Sequence, residues 1–325
     1  MTDNAPTLAQ VADHAGVSLA TASRALNGSI RKVNPELQAR VLESASALGY
    51  SANAQAQAMA RGTSNTVAVV VGDIADPYFS SIASGVIRVA DDRGLVVTLT
   101  ATGVEPSREK SALAALRGQR PRAVILAGSR VVDAAAADLG ALDRVAVIGS
   151  AVDGVRSVAV LNAEGAADLA RALVSRGYSD FVVLAGPENL VTARERTAGF
   201  LSVAPDARVR HGAFSRDGGY GAMAAVLAEG ARPGCVFAVT DVMAVGAMAA
   251  MREAGVRPGD DIAIAGFDDI PLVQDVTPSL TTVTLPLAEI GARALELALA
   301  DDAGESLTEP VAGVVTLRAS TPLRP

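Results

Sequence analysis

The sequence predicts an all-α helix-turn-helix headpiece followed by an α/β region of two doubly wound parallel-sheet lobes. Three observations carry this. The first sixty residues read as short helical segments divided by tight turns, with no run of β-branched residues among them. After residue 63, apolar runs of four to six residues alternate with helical segments of ten to fifteen, the pattern of βαβ units around parallel sheets. Roughly 260 residues of this alternation exceed what one small sheet holds, so two lobes are expected.

Each element has its own signal. Thr7 can cap a helix from Leu8 to about Ala15, where Leu8, Val11 and Ala12 share one face, and Gly16 ends it. Ser18 can cap a second helix through Leu26; a third should open at Pro35 and run to Leu48, stopped by Gly49. The strand candidates are Val67–Val71, Val96–Thr100, Ala123–Leu126, Val145–Ile148, Phe181–Leu184, Cys235–Val239 and Ile262–Ala265. Segments 157–162 and Thr281–Pro286 are the expected crossings between lobes. This divides the chain into a headpiece at 1–49, a linker at 50–62 and the α/β region at 63–325. The N-lobe is expected at about 63–160 and 287–308, the C-lobe at about 161–286 and 309–325.

Composition narrows the function classes. The chain has 325 residues, half of them apolar, yet its apolar runs are far shorter than the roughly 20 residues that span a bilayer. The first six residues lack the basic start and apolar run of a secretion signal, so a cytoplasmic location and no membrane partner are expected. A single cysteine, Cys235, excludes an internal disulfide and an all-thiolate zinc site, and no cofactor or metal is expected. The net charge of −7 is uneven: residues 1–62 carry +1, leaving −8 for the remainder. Charge therefore permits a nucleic-acid role for the headpiece, and the case for it rests on motif.

Segment 7–27, TLAQVADHAGVSLATASRALN, is a helix, a glycine turn and a second helix whose small Ala12 and Ala15 allow close approach. It closely resembles the headpiece of the lactose-repressor (LacI/GalR) family. The resemblance implies that the second helix enters the major groove, with Leu19, Ala20 and Arg24 reading bases and Thr7, Ser18, Thr21, Ser23 and Asn27 holding phosphates. Arg24 suits a bidentate contact with guanine, whereas Leu19 and Ala20 offer only apolar contact, for instance to a thymine methyl. Segment 50–59 resembles the family's hinge helix, which forms in the minor groove of bound DNA, with Asn53, Ala56 and Met59 as its DNA contacts. Met59 stands where the family has a wedging leucine, and Ala52 replaces the usual proline.

The resemblance extends over nearly all of residues 63–325, through DPYF at 76–79, ARERTAGF at 193–200, TDVMAVGA at 240–247, GFDD at 266–269, PSLTTV at 278–283 and RAST at 318–321. It implies a periplasmic-binding-protein-like sensor with a cleft between the lobes, where open α/β sheets place ligands. By position, the effector contacts are Tyr78, Ser150, Thr192, Arg196, Phe214, Thr240 and Asp268. Arg196 and Asp268 are opposite charges able to grip hydroxyls or a ring nitrogen, and Phe214 is a stacking face. Thr240 replaces a usual asparagine and Ser150 a usual acid, which removes two sugar-gripping groups. The implied partners are palindromic double-stranded operator DNA, a small effector (a sugar, sugar derivative or nucleoside-like molecule) and a second copy of the chain. The implied function is a transcription repressor whose operator affinity the effector controls by allostery.

Two other readings compete. An enzyme lacks parts: His14 lies in the headpiece, His211 is alone, and neither Lys32 nor Lys110 follows a glycine as a phosphate-binding loop requires. A periplasmic-type solute-binding protein would share the two-lobed region but would have no use for residues 7–27 and would need a signal peptide.

Overall fold

The computed structural model describes residues 6–27, 33–50, 64–103, 106–128, 139, 142, 144–149, 151–301 and 308–324. Contacts divide the chain into two units, Met1–Ser64 and Asn65–Pro325.

The first unit contains α1 (Leu8–Ala15), α2 (Leu19–Asn27) and α3 (Pro35–Ala47). Thr7 and Gln10 form a capping box at α1: Thr7 Oγ1 accepts from the Gln10 backbone N–H, and Gln10 Oε1 accepts from the Thr7 N–H at 2.8 Å. Gly16 turns the chain with φ of 62°, a left-handed conformation that an L side chain adopts only under strain. Val11, Ala12, Ala15, Ala22, Ala25, Val41 and Ala45 form the core, small side chains that bring three short helices together. The third helix is capped by Asn34, whose Oδ1 accepts from Glu36 N–H at 2.8 Å, a signal that the proline-based start left out.

The second unit is built on two parallel sheets. In chain order its first half runs β1 (Thr66–Val71), α4 (Pro77–Asp91), β2 (Val96–Ala101), α5 (Pro106–Gln119), β3 (Ala123–Ala127), β4 (Val145–Gly149) and β5 (Arg156–Val160). The second half runs α6 (Asn162–Ser175), β6 (Phe181–Ala185), α7 (Val191–Leu201), β7 (Arg208–His211), α8 (Arg216–Ala228), β8 (Cys235–Ala238), α9 (Asp241–Glu253) and β9 (Ala263–Ala265). It closes with β10 (Thr282–Thr284), α10 (Leu287–Leu299), β11 (Thr308–Val311) and β12 (Val314–Thr316).

The six-stranded sheet has the order β11-β5-β4-β3-β1-β2 and the four-stranded sheet the order β7-β6-β8-β9, all parallel. Alternate residues of the inner strands feed opposite faces. Val67, Val69, Val71 and Ile125 pack with Phe79, Ile82 and Val86 of α4, while Ala68, Val70, Val124 and Leu126 pack with Leu113 and Leu116 of α5. Cys235 is buried in the core of the four-stranded side, where burial pushes its thiol pKa up.

One expectation changes and one strand is added. Residues 309–311, assigned to the C-lobe, belong to β11 and pair with Val158, Ala159 and Val160 of the six-stranded sheet; the chain leaves that sheet only after Val311. The charged stretch Arg208–His211 is β7, an edge strand, and needs a hydrogen-bonded neighbour on one side only. Among the described residues, no helix is long and apolar enough to cross a membrane.

Candidate DNA-binding surface and ligand cleft

In the headpiece, Ser18 precedes α2 and its Oγ accepts from Thr21 N–H at 3.1 Å while meeting Thr21 Oγ1 at 2.8 Å, so the start of the helix is held by two of the expected phosphate contacts. Leu19 is 53% exposed although it is a large apolar residue, and Ala20 beside it is also exposed. Arg24 lies one turn on, with Nε donating to Ala20 O at 2.9 Å; its side chain lies along its own helix. Leu19 and Ala20 open α2 and Arg24 lies in its last turn, so these residues run along a partly exposed side of the helix, with Ala22 and Ala25 buried in the core. Asn27 is the last residue of α2. Asn53, Ala56, Met59 and Ser150 lie outside the described residues.

In the second unit, strand ends converge. Asp268 follows β9, Thr240 follows β8, Arg196 sits on the helix after β6, and Tyr78 opens the helix after β1 of the other sheet. Arg196 and Asp268 are 2% and 4% exposed at their side chains, with Nη2 and Oδ1 2.8 Å apart. The buried Oδ1 takes this ion pair and no further hydrogen-bond donor among the described residues. The guanidinium is held on its other sides: Nε donates to Asn162 Oδ1 at 2.9 Å, Nη1 donates to Val239 O at 2.8 Å, and its Cζ lies over the Phe267 ring, 3.9 Å from the ring centre.

The backbone around Asp268 is unusual. Asp268 has φ of 117° and Asp269 φ of 57°, left-handed values at two consecutive non-glycine residues. The surroundings enforce the turn. Asp268 N–H donates to Val283 O at 2.9 Å, and Asp269 pairs with Arg318 at 2.7 Å and accepts from Thr284 Oγ1 at 2.8 Å. Beneath it, fully buried Asp241 accepts from Thr282 Oγ1 at 2.7 Å and Ile270 N–H at 2.9 Å.

Burial is the main cause that pushes the Asp268 carboxyl up to about 7, against the opposing pull of Arg196. Asp241 is raised well above the usual carboxylate range by burial and by the neighbouring Asp268 charge. Burial likewise raises the Tyr78 phenol, and Asp268 raises it further while Arg196 lowers it, which puts this tyrosine within electrostatic reach of the pair. Asp76, which caps α4 by accepting from Tyr78 N–H at 2.9 Å, is also raised by burial.

The remaining predicted contacts occupy different environments. Thr192 Oγ1 lies 3.9 Å from where a methyl group on Gly149 would stand, at the end of β4. Phe214 packs its ring over Gly186. Thr240 is buried, and its Oγ1 accepts from Met243 N–H at 3.3 Å as the cap of α9. A separate cavity of about 440 Å³ on the β6–β7 flank, lined by Ala185, Glu188, Arg194, Thr197, Leu201 and His211, contains none of the seven. Asn162 falls in the crossing at 157–162, Asp241 in TDVMAVGA and Phe267 in GFDD, and none of the three stands out as a contact from the sequence; a polar residue at a crossing is the signal available for Asn162.

Residues 7–53 match the model of bacterial regulatory proteins of the lacI family, and residues 170–321 match that of the periplasmic binding protein-like domain. The chain is 33% identical to the HTH-type transcriptional regulator GalS of Salmonella typhimurium over 92% of its own length and 90% of that protein. This chain belongs to the LacI family. It is a helix-turn-helix transcriptional regulator. GalR of Escherichia coli is 31% identical over 90% of the chain and 88% of its own length. Among solved structures, the Lac repressor dimer bound to operator and the anti-inducer ONPF superposes with a TM-score of 0.84 at 26% identity, covering 98% of this chain and all of that one. The CelR–cellobiose complex does so with a TM-score of 0.70 at 27% identity, covering 97% and 99%.

Proposed function

We propose that this LacI-family regulator is a cytoplasmic homodimeric repressor that binds a palindromic operator, one helix-turn-helix to each half-site. A small polar effector, a sugar, sugar derivative or nucleoside-like molecule, binds between the two sheets and changes operator affinity. Arg24, Leu19 and Ala20 read bases; Thr7, Ser18, Thr21, Ser23 and Asn27 hold phosphates; Asn53, Ala56 and Met59 contact the minor groove. Tyr78, Ser150, Thr192, Arg196, Phe214, Thr240 and Asp268 contact the effector.

The observation that carries the effector reading is the buried Arg196–Asp268 pair at the strand ends, whose Oδ1 has the ion pair as its one contact among the described residues. A buried charge without full satisfaction is costly, and a ligand hydroxyl or N–H directed at Oδ1 would remove that cost. The experiment is operator titration by fluorescence anisotropy with and without D-ribose and cellobiose, the ligands in two similar solved complexes. The substitution Asp268→Asn should abolish any ligand response and leave ligand-free operator affinity unchanged; a response with unaltered midpoint would overturn the assignment.

A further inference from the structure

The guanidinium of Arg196 is restrained from three directions by residues that follow β8 and β9: Val239 O, Asp268 and the Phe267 ring. Its fourth restraint comes from elsewhere. Asn162 is the first residue of α6, and Leu161 before it still donates its N–H to Val311 O at 2.9 Å, on the last residue of β11. The side chain of Asn162 therefore reaches the pocket arginine from the crossing between the two sheets.

The carboxamide works at both ends. Oδ1 accepts from Arg196 Nε at 2.9 Å, and Nδ2 donates to Glu195 Oε2 at 2.9 Å. Asn162 is 1% exposed, so a misdirected amide would meet like partners without water to relieve it. Glu195 settles the orientation: its carboxylate takes the amide N–H and leaves the carbonyl oxygen for the arginine. Aspartate at 162 would set two carboxylates together, and an aliphatic residue would leave Arg196 Nε–H unpaired. The two helices are also in backbone contact, because a Cβ on Gly199 of α7 would lie 2.1 Å from Ala163 O on α6. The crossing and the pocket arginine are thus joined by a short, buried path.

We infer that Asn162, oriented by Glu195, is a positioning residue for Arg196 and transmits displacement of the crossing segment to the guanidinium. This rests on the effector contact assigned to Arg196 above. Of the four restraints on the guanidinium, the one at Nε alone comes from a residue adjoining the crossing, so a turn of the lobes about the crossing acts first on that restraint. Glu195 has a role in the switch without touching the ligand.

The test uses the full chain labelled with 15N-arginine. The Arg196 Nε–H resonance is identified by its loss in Arg196→Lys, and its solvent exchange is measured without ligand alongside the thermal midpoint. Glu195→Ala should accelerate that exchange by about tenfold, the loss of one well-directed hydrogen bond, with the midpoint unchanged. Glu195→Gln, which keeps an acceptor for Asn162 Nδ2, should restore the slow rate; Glu195→Ser replaces Glu195→Ala if the latter does not fold. Equal rates in wild type and Glu195→Ala, or fast exchange in Glu195→Gln, overturn the positioning role. A sugar that alters operator binding yet leaves this resonance unmoved overturns the pocket placement instead.

Discussion

At the scale of single residues, the second unit spends stability around the Arg196–Asp268 pair. Two adjacent left-handed aspartates and two buried carboxyls are costs that Arg196, Arg318, Thr282 and Ile270 only partly offset. Since burial raises Asp268 and Asp241, the folded protein takes up protons that the unfolded chain has released near neutral pH. Stability is therefore greatest on the acid side and falls as pH rises through about 7. Urea midpoints at pH 6 and pH 8 should differ more for the wild type than for Asp268→Asn; the same difference in both would contradict the assignment. In the headpiece, Arg24→Ala should cost roughly 1–3 kcal/mol at one base pair and relax preference there. Competition with an operator changed at that base pair reads the effect, and equal loss on random DNA would make Arg24 a phosphate contact.

At the scale of elements, the headpiece depends on its turn and its caps more than on helix propensity, since none of its three helices exceeds 13 residues. Gly16→Ala forces a Cβ into a left-handed residue whose methyl would lie 3.0 Å from Arg40 Nη2, the group that donates to Ala15 O. The expected loss is about 1–2 kcal/mol, seen as faster amide exchange across α1 and α2 with the sensor unaffected. Thr7→Ala removes the capping box and should cost about 1 kcal/mol by the same measurement. No change in either variant would mean that packing of Val11, Ala15 and Val41 alone sets the helix angle.

At the scale of the whole molecule, the two sheets share one pattern, a parallel order in which the second strand lies outside the first, and Tyr78, Arg196, Thr240 and Asp268, the proposed effector contacts, lie beyond strand ends. A single helix-turn-helix reads one half-site, so operator binding with useful affinity requires two copies. Sedimentation at micromolar concentration should give a dimer, and a monomer that still binds full operator would refute the proposed assembly.

Much of this was legible in the sequence because it is local. Capping residues, a glycine turn and apolar runs act over a few residues, so α1, the inner strands β1, β3, β4, β6 and β8, and the motif-borne positions of Arg196 and Asp268 could be read directly. What needed the tertiary structure is what depends on distant neighbours. β7 is a strand because β6 offers its edge, not because Arg208–His211 is apolar. Residues 309–311 return to the first sheet because β5 has an open side there. Asn162, Glu195 and Asp241 acquire their meaning only when partners 33, 34 and 41 residues away are folded against them. Local chemistry determined which segments this protein would build, and burial against remote partners decided which polar groups gather around Arg196 and Asp268.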